Sequence, residues 1–180
     1  MTLAAEAWVP LAEVARPHGV RGEVHLRLYN RDSDLLLELD EVLVRFPDGD
    51  EQEVSVEAAR RANDAILMKL CSVDDRDRAA ELRGAKVCAR RRSFPPLEEG
   101  EFYACDVEGA RVMVDLPEGP ARDVGRVREL RSYPSTQVLV VDADDGGPPW
   151  EVPLVAALVR DVDVASGVVV LTTLAGIERV

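Results

Sequence analysis

The chain has 180 residues, 47% of them hydrophobic and 31% charged, with a formal net charge of −12. Its length suits two compact domains of roughly 80–100 residues better than one small barrel, and an aromatic content of 4% makes any core aliphatic. No apolar run approaches the ~20 residues that cross a bilayer, and the opening Met1–Gly19 carries acids without a basic n-region, so it reads as neither a signal nor a transit peptide.

The charge is unevenly spread. Residues 1–97 hold 15 basic against 18 acidic side chains, a net of −3, whereas residues 98–180 hold 7 against 16, a net of −9. The second half would repel a phosphate backbone and attract a basic protein. The first is near neutral, with Arg16, Arg21, Arg27 and Arg31 close together. Twenty of the 22 basic residues are arginine; the bias suits bidentate contacts to phosphate or carboxylate, and a GC-rich genome produces it equally. Cys71, Cys88 and Cys105 are odd in number and lack paired close spacing. Free thiols in a reducing compartment account for them, which points to the cytoplasm.

In chain order the hydrophobic period is mostly two. Glu23–Tyr29 alternates as a half-buried strand should, Val42–Phe46 follows, and Pro47-Asp48-Gly49-Asp50 is a turn signal. Leu35–Leu39 suits a single helical turn. Strands at Glu53–Glu57 and Ala65–Leu70 precede a helix, for which Asp74 and Asp75 suit the first turn, Arg78–Arg83 the body and Gly84 the stop. Arg90–Gly100 has no period and contains Pro95-Pro96, so it reads as a semi-rigid connection. The expected organisation is a domain over 1–92, a linker over 93–100 and a domain over 101–180. The second half repeats the strand pattern at Ala110–Val114, Val124–Val127, Gln137–Val141 and Gly167–Leu171, with a short helix expected around Pro153–Leu158. Short strands about a dozen residues apart give a mostly β chain of barrels or sandwiches with few short helices.

Catalytic constellations are missing from the pattern. Gly19-Val20-Arg21-Gly22 lacks the lysine of a P-loop and the spacing of a dinucleotide fingerprint. The two histidines, His18 and His25, have no Cys or carboxylate at ligand spacing, and no serine sits in a nucleophile elbow. The chain is therefore expected to bind rather than to catalyse, with no cofactor and no metal.

Two motifs remain. In Ala15–Val24, Pro17 fixes φ and Gly19 and Gly22 permit tight backbone, so a sharp loop leads into a strand and displays Arg16, His18 and Arg21 together. It is either a barrel-closing turn whose polar groups face water or a contact rim. In Gly100–Gly109, Phe102 and Tyr103 are adjacent rings on an extended segment and point to opposite faces. One ring then fills the domain while the other anchors an interface, or both pack against the linker or the other domain.

These two motifs, in this order and spacing, resemble those of the ribosome maturation factor RimM family. Val14–Val24 matches the first; Leu82-Arg83-Gly84 follows; Pro96–Gly109 matches the second; Val124–Val127, Val152-Pro153-Leu154 and Val162-Asp163 complete a likeness spanning residues 8–177. The resemblance implies a translation-factor-like N-terminal barrel of six strands and a C-terminal PRC barrel. It implies a monomeric, non-membrane assembly factor that binds the small ribosomal subunit precursor, its 16S rRNA and ribosomal protein nineteen, and promotes 16S rRNA processing and maturation of the subunit head. Phe102, Tyr103 and Asp106 carry over as protein-binding residues, and Arg16, Pro17, His18, Gly19, Arg21 and Gly22 as residues contacting rRNA or ribosome. Phe102 lacks the hydroxyl of the family's tyrosine, and Ala104 stands where a tryptophan often follows. The alternatives are an RNA-processing enzyme acting on precursor rRNA and, because PRC barrels also occur there, an electron-transfer or photosynthetic accessory protein.

Overall fold

The computed structural model describes residues 5–98, 101–116, 119–133 and 135–179. The chain divides into two compact units, Ala4–Pro96 and Leu97–Val180. In the first, six strands close into a barrel: β1 (Trp8–His18), β2 (Glu23–Leu28), β3 (Glu41–Arg45), β4 (Glu51–Ala62), β5 (Ala65–Leu70) and β6 (Lys86–Arg90). The order is β1-β2-β5-β4-β3-β6, with every pair antiparallel. Closure leaves no open edge.

The period-two pattern places Val24, Leu26 and Leu28 of β2 in a core shared with Val14, Ile66 and Met68. β1 was not evident from the sequence because Pro10 and Pro17 interrupt it. It tolerates both, since the ladder shifts register between Pro10 and Ala12 and again between Val14 and Arg16. The expected turn at Leu35–Leu39 is a 3-10 turn over Leu35–Leu37. The expected helix is α1 (Arg76–Glu81), shorter than read, because Asp75 is its cap: the Asp75 carboxylate accepts the Arg78 N–H at 2.8 Å.

The second unit is a six-stranded sheet of β7 (Arg111–Val114), β8 (Arg122–Tyr133), β9 (Thr136–Ala143), β10 (Trp150–Pro153), β11 (Val159–Asp163) and β12 (Val168–Leu171), preceded by the four-residue α2 (Ala104–Val107). The order is β10-β9-β8-β7-β12-β11, with β7 and β12 parallel and the other pairs antiparallel. Val112, Leu139, Val141, Val152, Val169 and Leu171 fill its core. The helix expected around Pro153–Leu158 does not form. Pro153 instead ends β10 opposite Val138, and Val155–Leu158 turns through a Leu158 N–H bond to the Val155 carbonyl of 2.9 Å. Among the described residues no helix is long and apolar enough to cross a membrane.

The arginines after β6 are tied to the first unit. Arg90 lies over the Trp8 ring at 4.1 Å and pairs with Glu6 and Glu53 at 3.0 and 3.1 Å. Arg92 pairs with Glu6, and the N–H groups of Arg91 and Arg92 bond to the Ala7 and Ala5 carbonyls at 2.9 Å.

One glycine joins the β1–β2 hairpin to the segment before α1. Gly22 has φ +80°, and a Cβ there would lie 1.8 Å from the Val73 carbonyl oxygen. Lys69 pins that oxygen with an Nζ bond of 2.6 Å, so it cannot yield. Gly19 also has φ +62° but faces open space. Gly22→Ala should therefore cost about 3 kcal/mol or more, and Gly19→Ala about 1 kcal/mol. Urea unfolding read from Trp8 in a Trp150→Phe background checks this; equal losses at the two glycines would refute the close-approach argument.

Candidate functional site

The first site is the β1–β2 hairpin. The ladder pairs Arg16 with His25, Pro17 with Val24 and His18 with Glu23, so residues 19–22 form the connection. Pro17 and His18 are half-buried and Gly22 is buried, whereas Arg16, Gly19, Val20 and Arg21 face solvent, Val20 with 73% of its surface exposed. An apolar tip flanked by guanidinium groups results.

The four arginines that look alike in sequence do not stand alike in space. Arg27 pairs with Glu13 at 3.0 Å and Arg31 lies 3.6 Å from Asp64. Nearby Glu23 is taken by Arg60 at 3.1 Å. Among the described residues Arg16 and Arg21 have no carboxylate partner, and both keep their charge available.

A third arginine joins this rim from a distant part of the chain. The Gly84 N–H donates to the Val14 carbonyl at 2.8 Å, and the Val14 N–H donates to the Ala85 carbonyl at 2.9 Å. Exposed Arg83 is thereby placed beside β1 near Val14, two residues before Arg16, and it too has no carboxylate partner among the described residues. Sequence reasoning used Leu82-Arg83-Gly84 only as a helix stop and a family motif. No local signal brings it to the hairpin; barrel closure does. His25, opposite Arg16, has its Nδ1 buried without a hydrogen-bond partner among the described residues. No group of three or more potential metal ligands occurs among the described residues.

The second site is built around α2. Glu99 and Gly100 of its motif lie outside the described residues. Phe102 is half-buried and packs on the core of the second unit, and Tyr103 is half-buried at the helix N-cap with extended φ −84° and ψ 149°. The rings are thus fixed by a turn into a helix rather than by a strand.

Asp106 makes that turn. It is 2% exposed, and its Oδ2 accepts the Tyr103 N–H at 3.4 Å while its own N–H donates to the Tyr103 carbonyl at 2.9 Å. Sequence reasoning placed Asp106 with Phe102 and Tyr103 as a protein-contacting residue. The structure turns its carboxylate inward, toward the Tyr103 N–H at the helix start. Reciprocal bonds then fasten the turn to β8: Gly109 N–H to the Val127 carbonyl at 2.8 Å and Val127 N–H to the Ala110 carbonyl at 2.9 Å. Beside it, desolvation and then the like charge of Glu129 raise the Glu108 carboxyl above the usual carboxylate range. Negative charge is crowded here.

Asp106→Ala should destabilise the second unit by about 1–3 kcal/mol, the cost of leaving a helix start without its acceptor. Asp106→Asn, which keeps an acceptor oxygen, should cost less than half as much. Trp150 emission during urea unfolding, in a Trp8→Phe background, reads the difference; equal costs would refute the need for an acceptor there.

Comparison with known proteins places these features in a family. The RimM N-terminal domain model matches residues 9–94 and the RimM PRC barrel domain model matches residues 118–177. A protein of Sorangium cellulosum named ribosome maturation factor RimM is 51% identical over 170 residues, covering 94% of this chain and 97% of its own. One of the same name from Thiobacillus denitrificans is 36% identical, covering 92% of this chain and 83% of its own. The solution structure of the N-terminal domain of RimM from Thermus thermophilus, 25% identical, covers 51% of this chain and 98% of its own with a TM-score of 0.41. With both domain models matched in order and half the residues shared with a relative along nearly the whole length, the chain belongs to the RimM family.

Proposed function

We propose that this protein is a ribosome maturation factor that binds the small ribosomal subunit precursor and promotes 16S rRNA processing and maturation of the subunit head. It acts as a monomeric cytoplasmic binding protein with no bond-making step of its own. The observation that carries the reading is the division of available charge. Arg16 and Arg21 stand at an exposed hairpin without carboxylate partners among the described residues, while the half of the chain bearing the Phe102–Tyr103 turn has a net charge of −9.

Each half then has a natural ligand chemistry. Pro17, His18, Gly19 and Gly22 shape the hairpin that presents Arg16 and Arg21, and the exposed guanidinium groups contact phosphates of 16S rRNA. The acidic unit steers a basic ribosomal protein, the protein numbered nineteen of the small subunit, toward the surface shaped by Phe102, Tyr103 and Asp106. The rings supply contact area and the carboxylates supply encounter rate.

The two halves are separable by experiment. Replacing Arg16 and Arg21 together by Ala should weaken binding to a 16S rRNA fragment and flatten its logarithmic salt dependence by about 1.4–1.8, the loss of two phosphate contacts. An unchanged slope removes the hairpin from the RNA interface. Replacing Phe102 and Tyr103 together by Ala should abolish recovery of precursor small subunits in a pull-down from lysate while leaving the first unit's rRNA affinity intact. Undiminished recovery removes the rings from the interface.

A further inference from the structure

The turn between β9 and β10 contains Asp144-Asp145-Gly146-Gly147-Pro148-Pro149 and ends at Trp150. Arg179 lies in it. Its Nη1 donates to Asp145 Oδ1 at 3.0 Å and its Nη2 to Oδ2 at 2.5 Å, a bidentate fork. The guanidinium carbon sits 4.5 Å from the centroid of the Trp150 ring. Gly147 completes the slot. Its N–H donates to Asp145 Oδ1 at 2.9 Å, and a Cβ on it would lie 1.9 Å from Arg179 Nη1. The slot thus has a carboxylate at its end, an indole face as one wall and a bare backbone floor. Arg179, and next the Gly147 N–H, hold the Asp145 carboxyl down at about 2.

The segment is anchored at Ile177, which packs on the core of this unit, while beyond it the backbone is attached at few points. Among the described residues an antiparallel bridge joins Trp150 to Arg179, and a bond runs from the Glu151 N–H to the Glu178 carbonyl at 3.2 Å. The ion pair itself is partly solvated, with side-chain exposures of 33% for Arg179 and 58% for Asp145. β10 is the end of its sheet, pairing with β9 on its other side. An extended strand from elsewhere can replace that bridge and pair along more of Trp150–Pro153. Beside the slot a depression is lined by Asp123, Asp144 and Arg122. Asp123 is held by Arg111 at 2.9 Å, whereas exposed Asp144 has no ion-pair partner among the described residues.

We propose that the Asp145–Gly147–Trp150 slot is a receptor for an arginine side chain carried on an extended segment of a basic protein, and that Arg179 occupies it in cis. The acidity of this half of the chain favours such a partner and disfavours a nucleic acid. The planar fork and the indole face select arginine over lysine, whose ammonium is a compact, strongly hydrated point charge with no plane to match the fork or to stack on the ring. Beyond the anchor at Ile177, Glu178 and Arg179 then act as a competitor that sets the threshold for binding. The inference rests on the second unit alone and is independent of the ribosomal reading.

The test uses the full chain carrying Trp8→Phe, so that Trp150 is the only indole. The probes are a seven-residue peptide alternating valine and arginine and its lysine counterpart, titrated at low ionic strength with Trp150 fluorescence and the Gly147 amide resonance as readouts. Removing the competitor with Arg179→Ala should tighten binding of the arginine peptide by ~10-fold or more, as the open fraction of the slot rises. The lysine peptide should gain much less, and Asp145→Asn added to Arg179→Ala should abolish the gain. If Arg179→Ala loosens the second unit, judged by its near-ultraviolet circular dichroism, Arg179→Lys replaces it in the same comparison, since it keeps the charge and the backbone bridge but not the fork. Equal affinities with and without Arg179, equal gains for the two peptides, or a gain that survives Asp145→Asn would each overturn the proposal.

Discussion

The pairing of arginine is the constraint on which both units depend. With aromatics at 4%, the cores are built from valine, leucine and isoleucine. Large flat surfaces therefore come from guanidinium groups laid on the few rings that exist. Arg90 covers Trp8 and Arg179 covers Trp150, at 4.1 and 4.5 Å, and each is also held by carboxylates. Each exposed pair of this kind contributes little alone, because water screens the charges. Their structural effect is to bind chain segments that flank the strands: Ala5–Ala7 along Arg91 and Arg92 in the first unit, and Glu178–Arg179 along β10 in the second.

Most arginines have a carboxylate partner among the described residues, as Arg27, Arg60, Arg90, Arg128 and Arg179 do. Arg16, Arg21 and Arg83 do not, nor do Arg76, Arg78, Arg122 and Arg126; what sets the first three apart is that the β1–β2 hairpin carries two of them and the bonds of Gly84 and Ala85 to Val14 bring the third beside β1. Gly22 belongs to the same hairpin. A hairpin that must lie against the pinned Val73 carbonyl has no room for a side chain at that point. Display of Arg21 and the packing of the segment before α1 are thus one requirement, met by one missing methyl group.

The fold was largely legible because period two survives in Val24–Leu28, and because Val138–Val141, buried on both faces, reads as a short continuous apolar run. Strands were missed where another rule overrode that signal. β1 contains Pro10 and Pro17 and is accommodated by register shifts that sequence cannot announce. β11, Val159–Asp163, is half charged because it lies at the end of its sheet. α2 was invisible because four residues have no periodicity; the Asp106 cap, the burial of Val107 and the bonds of Gly109 and Ala110 to β8 hold so short a helix. The sites divided similarly. Arg16 to Gly22 and Phe102-Tyr103 are contiguous and could be read, but Arg83 joins the rim through tertiary pairing, and the inward turn of Asp106 depends on a helix that the sequence does not signal.

Separate units suit the two ligand chemistries of the proposed function. A phosphate backbone and a basic protein demand potentials of opposite sign, and on a single small surface each would cancel the other. A rim of free arginines on the first unit and a net of −9 on the half containing the second let each unit keep its own potential. At physiological ionic strength that potential reaches only about 8 Å, so local charge around each contact matters more than the net −12 of the whole chain. An acidic protein can therefore bind RNA through one rim. The acidity of the second unit, not the exposed pair's own strength, favours an arginine beside Asp145: in a strongly acidic unit an arginine is readily retained, and one arginine on another chain can take its place.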